Sequence, residues 1–313
     1  MWKVYKSQIP ETQTVQQYIR EHTDFLQVRD IKPELDVQNN MLEISGLQFD
    51  WEALGDSIEE SFWRYGSGNE KGYRFVSHDN PTGQPTKSTS YTCLSIVHNP
   101  NHIENLPQNY STLGTRMMKG DRYYRGGKRH ENDTAVMPEI LKDSYYDSWS
   151  FTEVTEAANN GALKDLSNEC LNRSLIRGRI GKIDSKPVDR NHGECHIDDG
   201  WHKDEHLLEN TRIMIPLITS NNFCLQIKDN PKDYKFQLGN AYVMDTHIPH
   251  RVIPLDKNAR EYRIHIIYGT NPWFDYNKEE DSWTSNEFYG KMHPFDMIAA
   301  GYYFKQPINT RII

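Results

Sequence analysis

His196 and Asp198 are the pair whose residue types and spacing best suit metal chemistry in this sequence. On a strand or its extended continuation, residues two apart point to the same side. An imidazole and a carboxylate so placed can meet one cation. A third ligand has to come from another strand. His250, in the run Met-Asp-Thr-His-Ile-Pro-His-Arg-Val, follows a strand-like segment and can supply it. Two histidines and one carboxylate on one face leave three positions open. That arrangement suits iron(II), which has to hold a co-substrate and oxygen together.

His-x-Asp alone is a short pattern in a chain with 13 histidines. A second copy, His202-Lys203-Asp204, follows closely, and His202 with His206 has the i, i+4 spacing of a helical metal pair. We read that group as a solvated polar turn. His247 is the local competitor of His250 and is placed near the site rather than on the metal. His192 reads as a loop residue. The surroundings add weight to the first set. Arg212 interrupts an otherwise apolar strand pattern, and Arg263 does the same in Tyr262–Tyr268. Burying an arginine without a partner is costly. Each either pairs with an acid of the chain or clamps the carboxylate of a small bound acid through its bidentate fork. Two such strands around the ligands point to the clamp.

Several elements must position these residues. Val15, Ile19, His22 and Leu26 recur at helical spacing, and a second helix is expected from Trp51 to Trp63. Residues 66–90 are rich in Gly, Ser, Asn, Pro and Thr and read as loop. Tyr91 to Val97 reads as a strand. Residues 98–134 are again polar and irregular, and a stretch of that length is usually functional. Glu153 to Leu171 reads as helix, interrupted near Asn159-Asn160-Gly161. From about residue 174 the character changes. Leu175–Ile183, Thr211–Ile218, Phe223–Ile227, Ala241–Met244 and Tyr262–Tyr268 read as strands with turn clusters and no helices between them. That spacing suggests an antiparallel sandwich or small barrel. The tail from Asn271 carries Trp273, Phe274, Trp283, Phe288, Tyr289 and Phe295, and is expected to pack back as short helices and loops.

The ordered series His196-Ile-Asp198, Arg212-Ile-Met-Ile-Pro-Leu-Ile-Thr219, Phe223, Gly239-Asn-Ala-Tyr-Val-Met-Asp245, His250-Arg-Val252 and Arg263-Ile-His-Ile-Ile267 resembles the aspartyl/asparaginyl β-hydroxylase-like branch of the iron(II)/2-oxoglutarate-dependent oxygenases. The resemblance covers about residues 174–270. It implies a mainly β fold with helical additions, built on a double-stranded β-helix (jelly roll, cupin-like) with an N-terminal helical region and a C-terminal helical tail. It divides the chain into N-terminal helices, early strands and lid loops (1–173), a metal-binding core (174–270) and a tail packing on that core (271–313). It also implies iron(II) on His196, Asp198 and His250, molecular oxygen, and 2-oxoglutarate as co-substrate. Arg263 would grip the far carboxylate of 2-oxoglutarate, with Arg260 as the alternative; Arg212 would assist. We prefer Arg263 because it sits in apolar alternation, whereas Arg260 sits in a turn-like run. Two departures stand out. The family often has His two residues past the earlier arginine, where this chain has Met214. Some animal members lack the metal carboxylate, whereas Asp198 is present, which is closer to the bacterial amino-acid hydroxylases.

The implied activity is hydroxylation of an unactivated C–H bond, with release of succinate and CO2. The substrate would be a free amino acid or a peptidyl side chain. Asp199 and Asp245 are candidates for orienting the ligands. Arg116, Arg122 and Arg125 in the irregular region, with Arg177 and Arg179, are candidates for a substrate carboxylate. Rival readings are a jelly-roll isomerase or hydrolase with another metal, and a non-catalytic cupin-like binding protein. With 313 residues the chain is long enough to bury a core without disulfides. A net charge of -8 speaks against a nucleic-acid partner, which requires a basic face. The basic cluster Arg122, Arg125, Lys128 and Arg129 reads as a solvated loop. The four cysteines form no Cys-x-x-Cys pair, and neither a signal-peptide core nor a run long enough to span a bilayer is seen. A reducing, cytoplasmic setting is the expectation.

Overall fold

The computed structural model describes residues 1–10, 13–66, 76–77, 91–98, 124–125, 128–129, 148–155, 158–159, 161–173, 176–185, 201, 203–256 and 258–313. His192, His196, Asp198, Asp199, His202, Arg116 and Arg122 lie outside the described residues. The helices are α1 (Val15–His22), α2 (Phe25–Val28) and α3 (Trp51–Gly66), with two later ones at Gly161–Cys170 and Pro294–Ala299. The strands of the first half are β1 (Lys3–Tyr5), β2 (Met41–Ser45), β3 (Val76–Ser77), β4 (Tyr91–Ser95), β5 (Val97–His98), β6 (Tyr124–Arg125), β7 (Lys128–Arg129) and β8 (Glu153–Val154). Those of the second half are β9 (Arg179–Asp184), β10 (Thr211–Ile218), β11 (Phe223–Ile227), β12 (Asp233–Tyr234), β13 (Ala241–Met244), β14 (His250–Pro254), β15 (Tyr262–Thr270), β16 (Phe274–Asn277), β17 (Ser282–Ser285) and β18 (Asn309–Ile312).

Strand alternation builds two sheets with a shared interior. The larger sheet runs β18-β2-β13-β10-β15-β9-β4-β3, and a smaller one runs β12-β11-β14. On β10, Ile213, Ile215 and Leu217 join Ile264, Ile266 and Tyr268 of β15 in one apolar cluster. Val15 and Ile19 of α1, Leu54 and Ile58 of α3, and Leu163 and Leu166 of the helix Gly161–Cys170 belong to the same cluster. The opposite face of the large sheet contributes Met41, Met214, Tyr242 and Met244 to a second cluster, with Leu225, Ile227 and Tyr234 from the small sheet. The small sheet therefore covers one face of the large sheet, and helices cover the other. After β9 and β10 the chain crosses to β11 and β12, returns at β13, crosses at β14 and returns at β15. Two facing antiparallel sheets linked by such crossings have a jelly-roll layout, and the protein is mainly β. Burying a Leu or Ile is worth roughly 1.5–3 kcal/mol each. A one-residue slip of β10 would turn three such side chains away from the helices and put Arg212 among them, so the register is fixed.

Most strands match the expected ones. Three segments differ. Among the described residues of Glu153–Leu171 the helix is Gly161–Cys170; β8 instead pairs with β5, and Thr155 N–H extends that pairing by donating to Ile96 O at 3.0 Å. The first helical stretch breaks after His22, because the Thr23 hydroxyl bonds Ile19 O and accepts from Phe25 N–H. Phe25 is then buried and Leu26 exposed. The tail is not made of helices and loops alone. It forms a hairpin, β16–β17, extended by β1 at its edge, and it ends in β18 along β2. Tyr276 faces Trp283 across the hairpin with ring centroids 5.0 Å apart, a cross-strand aromatic pair of the kind that stabilises two-stranded ribbons. Among the described residues no helix is long and apolar enough to cross a membrane.

Candidate functional site

His250 opens β14 and points into the sandwich interior, 6% exposed. The turn before it is tightly specified. Asp245 Oδ1 accepts from His247 N–H at 2.9 Å, and Ile248 N–H donates to Asp245 O. Asp245 is thus a turn-former. The Nδ1 atom of His250 lies 2.9 Å from Ile248 O. A carbonyl can only accept, so Nδ1 donates to it; in the neutral ring this tautomer leaves Nε2 the lone pair by which imidazole ligates a metal.

The carboxylate facing Nε2 belongs to Asp204. Its Oδ2 stands 3.7 Å from His250 Nε2. This corrects the reading of the Asp204 segment as a solvated turn: the Asp204 side chain is 13% exposed and ion-paired. The reason is local. Leu207 and Leu208 are buried in the main core and drag the preceding residues inward. His206 O accepts from the N–H groups of both Glu209 and Asn210, closing a tight turn that delivers the chain to β10. Asp204 N–H donates to Thr246 O at 2.8 Å, and the Thr246 hydroxyl donates to Glu205 O at 3.1 Å. These two bonds sew the Asp204 segment to the turn that carries His250. His247 is exposed, with Nδ1 3.4 Å from Asp204 O.

Behind Asp204 lies a buried network of charges. Arg212, 3% exposed, places Nη1 on the Asp204 carboxylate and Nη2 3.3 Å from Glu205 Oε2. Arg177 Nη1 reaches the same Glu205 oxygen at 3.0 Å, and Asn210 Nδ2 donates to it at 2.6 Å. Burial pulls the Arg177 guanidinium below its ordinary pKa, and Glu205 opposes that shift. Gly269, opposite Arg212 on β15, is required by this packing. A Cβ there would lie 2.3 Å from Arg177 O and 2.6 Å from Asn210 Oδ1.

Arg263 is 9% exposed and shares the inner face of β15 with His265 and Ile267. Its guanidinium lies over the Phe236 ring, 5.9 Å from the centroid, with Nη1 3.4 Å from His265 Nδ1. An arginine only donates, so Nδ1 of His265 accepts. Burial first, and the neighbouring Arg263 second, push the His265 pKa well below the usual imidazole value. Arg260 is exposed. Of the two arginines weighed as a co-substrate anchor, Arg263 is the one inside the sandwich.

The structure thus brings together His250, Arg212 and Arg263 on the inner face. It adds Asp204, Glu205, Arg177, His265 and Phe236, to which the sequence reading gave no metal-site role. The second His-x-Asp pattern was the available signal for Asp204; nothing local marks Glu205 or Phe236. Among the described residues no three His, Cys, Asp or Glu side chains form a metal-holding group. Two donors, His250 Nε2 and the Asp204 carboxylate, do lie side by side and fit a divalent cation with nitrogen and oxygen ligands.

No family model and no curated protein matches the sequence. Similar solved structures include the non-haem alpha-ketoglutarate-dependent epimerase SnoN from nogalamycin biosynthesis, 10% identical, with 75% of this chain and 80% of that chain covered and a TM-score of 0.33. HygX from Streptomyces hygroscopicus, solved with nickel, 2-oxoglutarate and hygromycin B, is 10% identical over 77% and 87%, with a TM-score of 0.31. A full-length Neurospora crassa protein, solved in complex with alpha-KG and 5-formyluracil, is 12% identical over 88% and 87%, with a TM-score of 0.36. TM-scores this low carry no argument about fold or function.

Proposed function

We propose that this chain is a non-haem iron(II)- and 2-oxoglutarate-dependent oxygenase that hydroxylates an unactivated C–H bond of an amino acid or peptidyl side chain, with release of succinate and CO2. The observation that carries the reading is the pairing of His250 Nε2, on a ring whose Nδ1 faces Ile248 O, with a carboxylate at 3.7 Å, inside a sandwich that also buries Arg263. Iron(II), when bound, supplies the oxygen chemistry. His250 ligates it through Nε2. The remaining two ligands come from a His-x-Asp pair. The sequence resemblance favours His196 and Asp198. The position of Asp204 favours His202 and Asp204 as a second reading.

Arg263 holds the far carboxylate of 2-oxoglutarate. Phe236 supports its guanidinium from one side, and neutral His265 accepts from it without competing for charge. A buried arginine fork suits that role because it matches a carboxylate with two parallel bonds. The membership of the aspartyl/asparaginyl β-hydroxylase-like branch is part of the same proposal.

The test is purified protein with iron(II), ascorbate and 2-oxoglutarate. Succinate should appear, at least slowly and without a prime substrate, and iron should bind at one equivalent. If succinate does not form and iron does not bind stoichiometrically, the oxygenase reading ends and the isomerase, hydrolase or binding-protein alternatives are left. Asp198→Asn and Asp204→Asn distinguish the ligand sets: only the variant at the true ligand should lose iron binding outright.

A further inference from the structure

Arg212 has both ends of its fork occupied by the protein's own carboxylates. Nη1 sits on Asp204, and Nη2 lies 3.3 Å from Glu205 Oε2. The side chain is 4% exposed, so little water competes for it. Glu205 is itself fixed from two further directions, by Arg177 at 3.0 Å and Asn210 at 2.6 Å. Asp204 and Glu205 are adjacent in sequence, and their backbones are tied to the Thr246 turn. The result is a chain of contacts that starts at Arg177, passes through Glu205 and Arg212, and ends at the Asp204 carboxylate beside His250 Nε2.

We infer that Arg212 is a positioning residue for Asp204, holding that carboxylate at the metal-binding edge of His250, and does not bind the co-substrate. This rests on the proposed metal centre, in its Asp204 form. The physical reason is competition for the fork. A guanidinium that spans two adjacent carboxylates has matched its charge inside the protein. Turning it toward the carboxylate of a bound acid would take a buried counter-charge from both Asp204 and Glu205, and breaking buried ion pairs is strongly unfavourable. A carboxylate held by one arm of a fork whose other arm is fixed on Glu205, in contrast, keeps its orientation beside His250. That is how partners behind a metal ligand act, and their loss typically weakens metal binding about 10–100-fold.

The experiment separates metal from co-substrate. Co(II) alone is titrated into metal-free protein and followed by its visible absorption; 2-oxoglutarate is then titrated calorimetrically into the Co(II)-saturated protein. Wild type should bind one equivalent of Co(II). Arg212→Gln should bind Co(II) about 10–100-fold more weakly, with an altered absorption envelope. Its 2-oxoglutarate affinity, once saturated with Co(II), should stay close to that of wild type. Arg212→Lys keeps the charge without the fork and should fall between the two; it carries the test if Arg212→Gln does not fold. The inference is overturned if both variants bind Co(II) like wild type, or if 2-oxoglutarate affinity falls while Co(II) affinity holds. Absence of Co(II) binding by wild type would overturn the metal centre itself, a result distinct from either.

Discussion

At the scale of single residues, protonation follows from hydrogen-bond partners. His293 caps the helix Pro294–Ala299 by accepting from Phe295 N–H at 3.2 Å through Nδ1, which requires that nitrogen to be unprotonated. Burial lowers its pKa to about 4. Its unfolded value is near 6.5. Above that pH both states are neutral and the stability is complete. As pH falls from about 6.5 toward 4, the unfolded chain takes up a proton that the folded one refuses, and stability declines by roughly 1.4 kcal/mol per pH unit. His265, whose pKa is pushed down in the same direction, adds to the slope. His293→Asn keeps a capping acceptor without the proton, so its melting temperature should fall less than wild type between pH 7 and pH 5; parallel curves would contradict the assignment. Arg263 and Arg260 offer a second contrast. Arg263→Ala should raise the 2-oxoglutarate concentration needed for half-maximal succinate formation at least tenfold, with Arg260→Ala near wild type. The reverse pattern would move the anchor to Arg260 and leave the proposed class standing.

At the scale of elements, the site depends on how closely β15 approaches the segment before β9. Gly269 allows Arg177 O and Asn210 Oδ1 to occupy the space a side chain would fill. In Gly269→Ala the nearest atom is backbone, which cannot swing aside, so β15 or the Arg177 segment has to shift. Overpacking of this kind costs roughly 1–3 kcal/mol. Urea unfolding should show that loss, and Co(II) affinity should fall with it because Glu205 is held by Arg177 and Asn210. A stable Gly269→Ala with unchanged metal affinity would show that the close approach is incidental. Much of this scale was legible beforehand. The strands Thr211–Ile218, Phe223–Ile227 and Ala241–Met244 have the expected bounds, because apolar alternation and turn clusters delimit them. The Glu153–Leu171 segment reads as one helix in sequence, whereas the structure has strand β8 before the helix Gly161–Cys170. The tail hairpin was missed because Tyr276 and Trp283 look like core aromatics until the register sets them opposite each other.

At the scale of the whole molecule, segments distant in sequence complete one sheet. β18 hydrogen-bonds along β2, which pairs in turn with β13 of the site-bearing layer. Ile313 N–H donates to Met41 O at 2.9 Å, and Arg311 Nε donates to Glu43 Oε1 at 2.6 Å. Removing residues 309–313 would expose the edge of β2 and uncover part of the inner cluster that Ile313 packs against. A lower melting temperature and increased association by light scattering are expected, since an unpaired edge invites strand addition. A truncated protein as stable and monodisperse as the full chain would show that β18 contributes nothing.

The sequence by itself determined the residue types of the site and the strands that bear Arg212, His250 and Arg263. Periodicity is a local property, and a buried strand betrays a cation that interrupts it. Only the tertiary structure decided which carboxylate meets His250 Nε2 among the described residues, and what Arg212 holds. Both follow from long-range contacts: buried Leu207 and Leu208 pull Asp204 inward, and the Thr246 turn ties it to His250. Two His-x-Asp patterns close together look alike in one dimension. Asp204 stands beside the imidazole because backbone bonds between distant turns fix its position, whereas Asp198 lies outside the described residues.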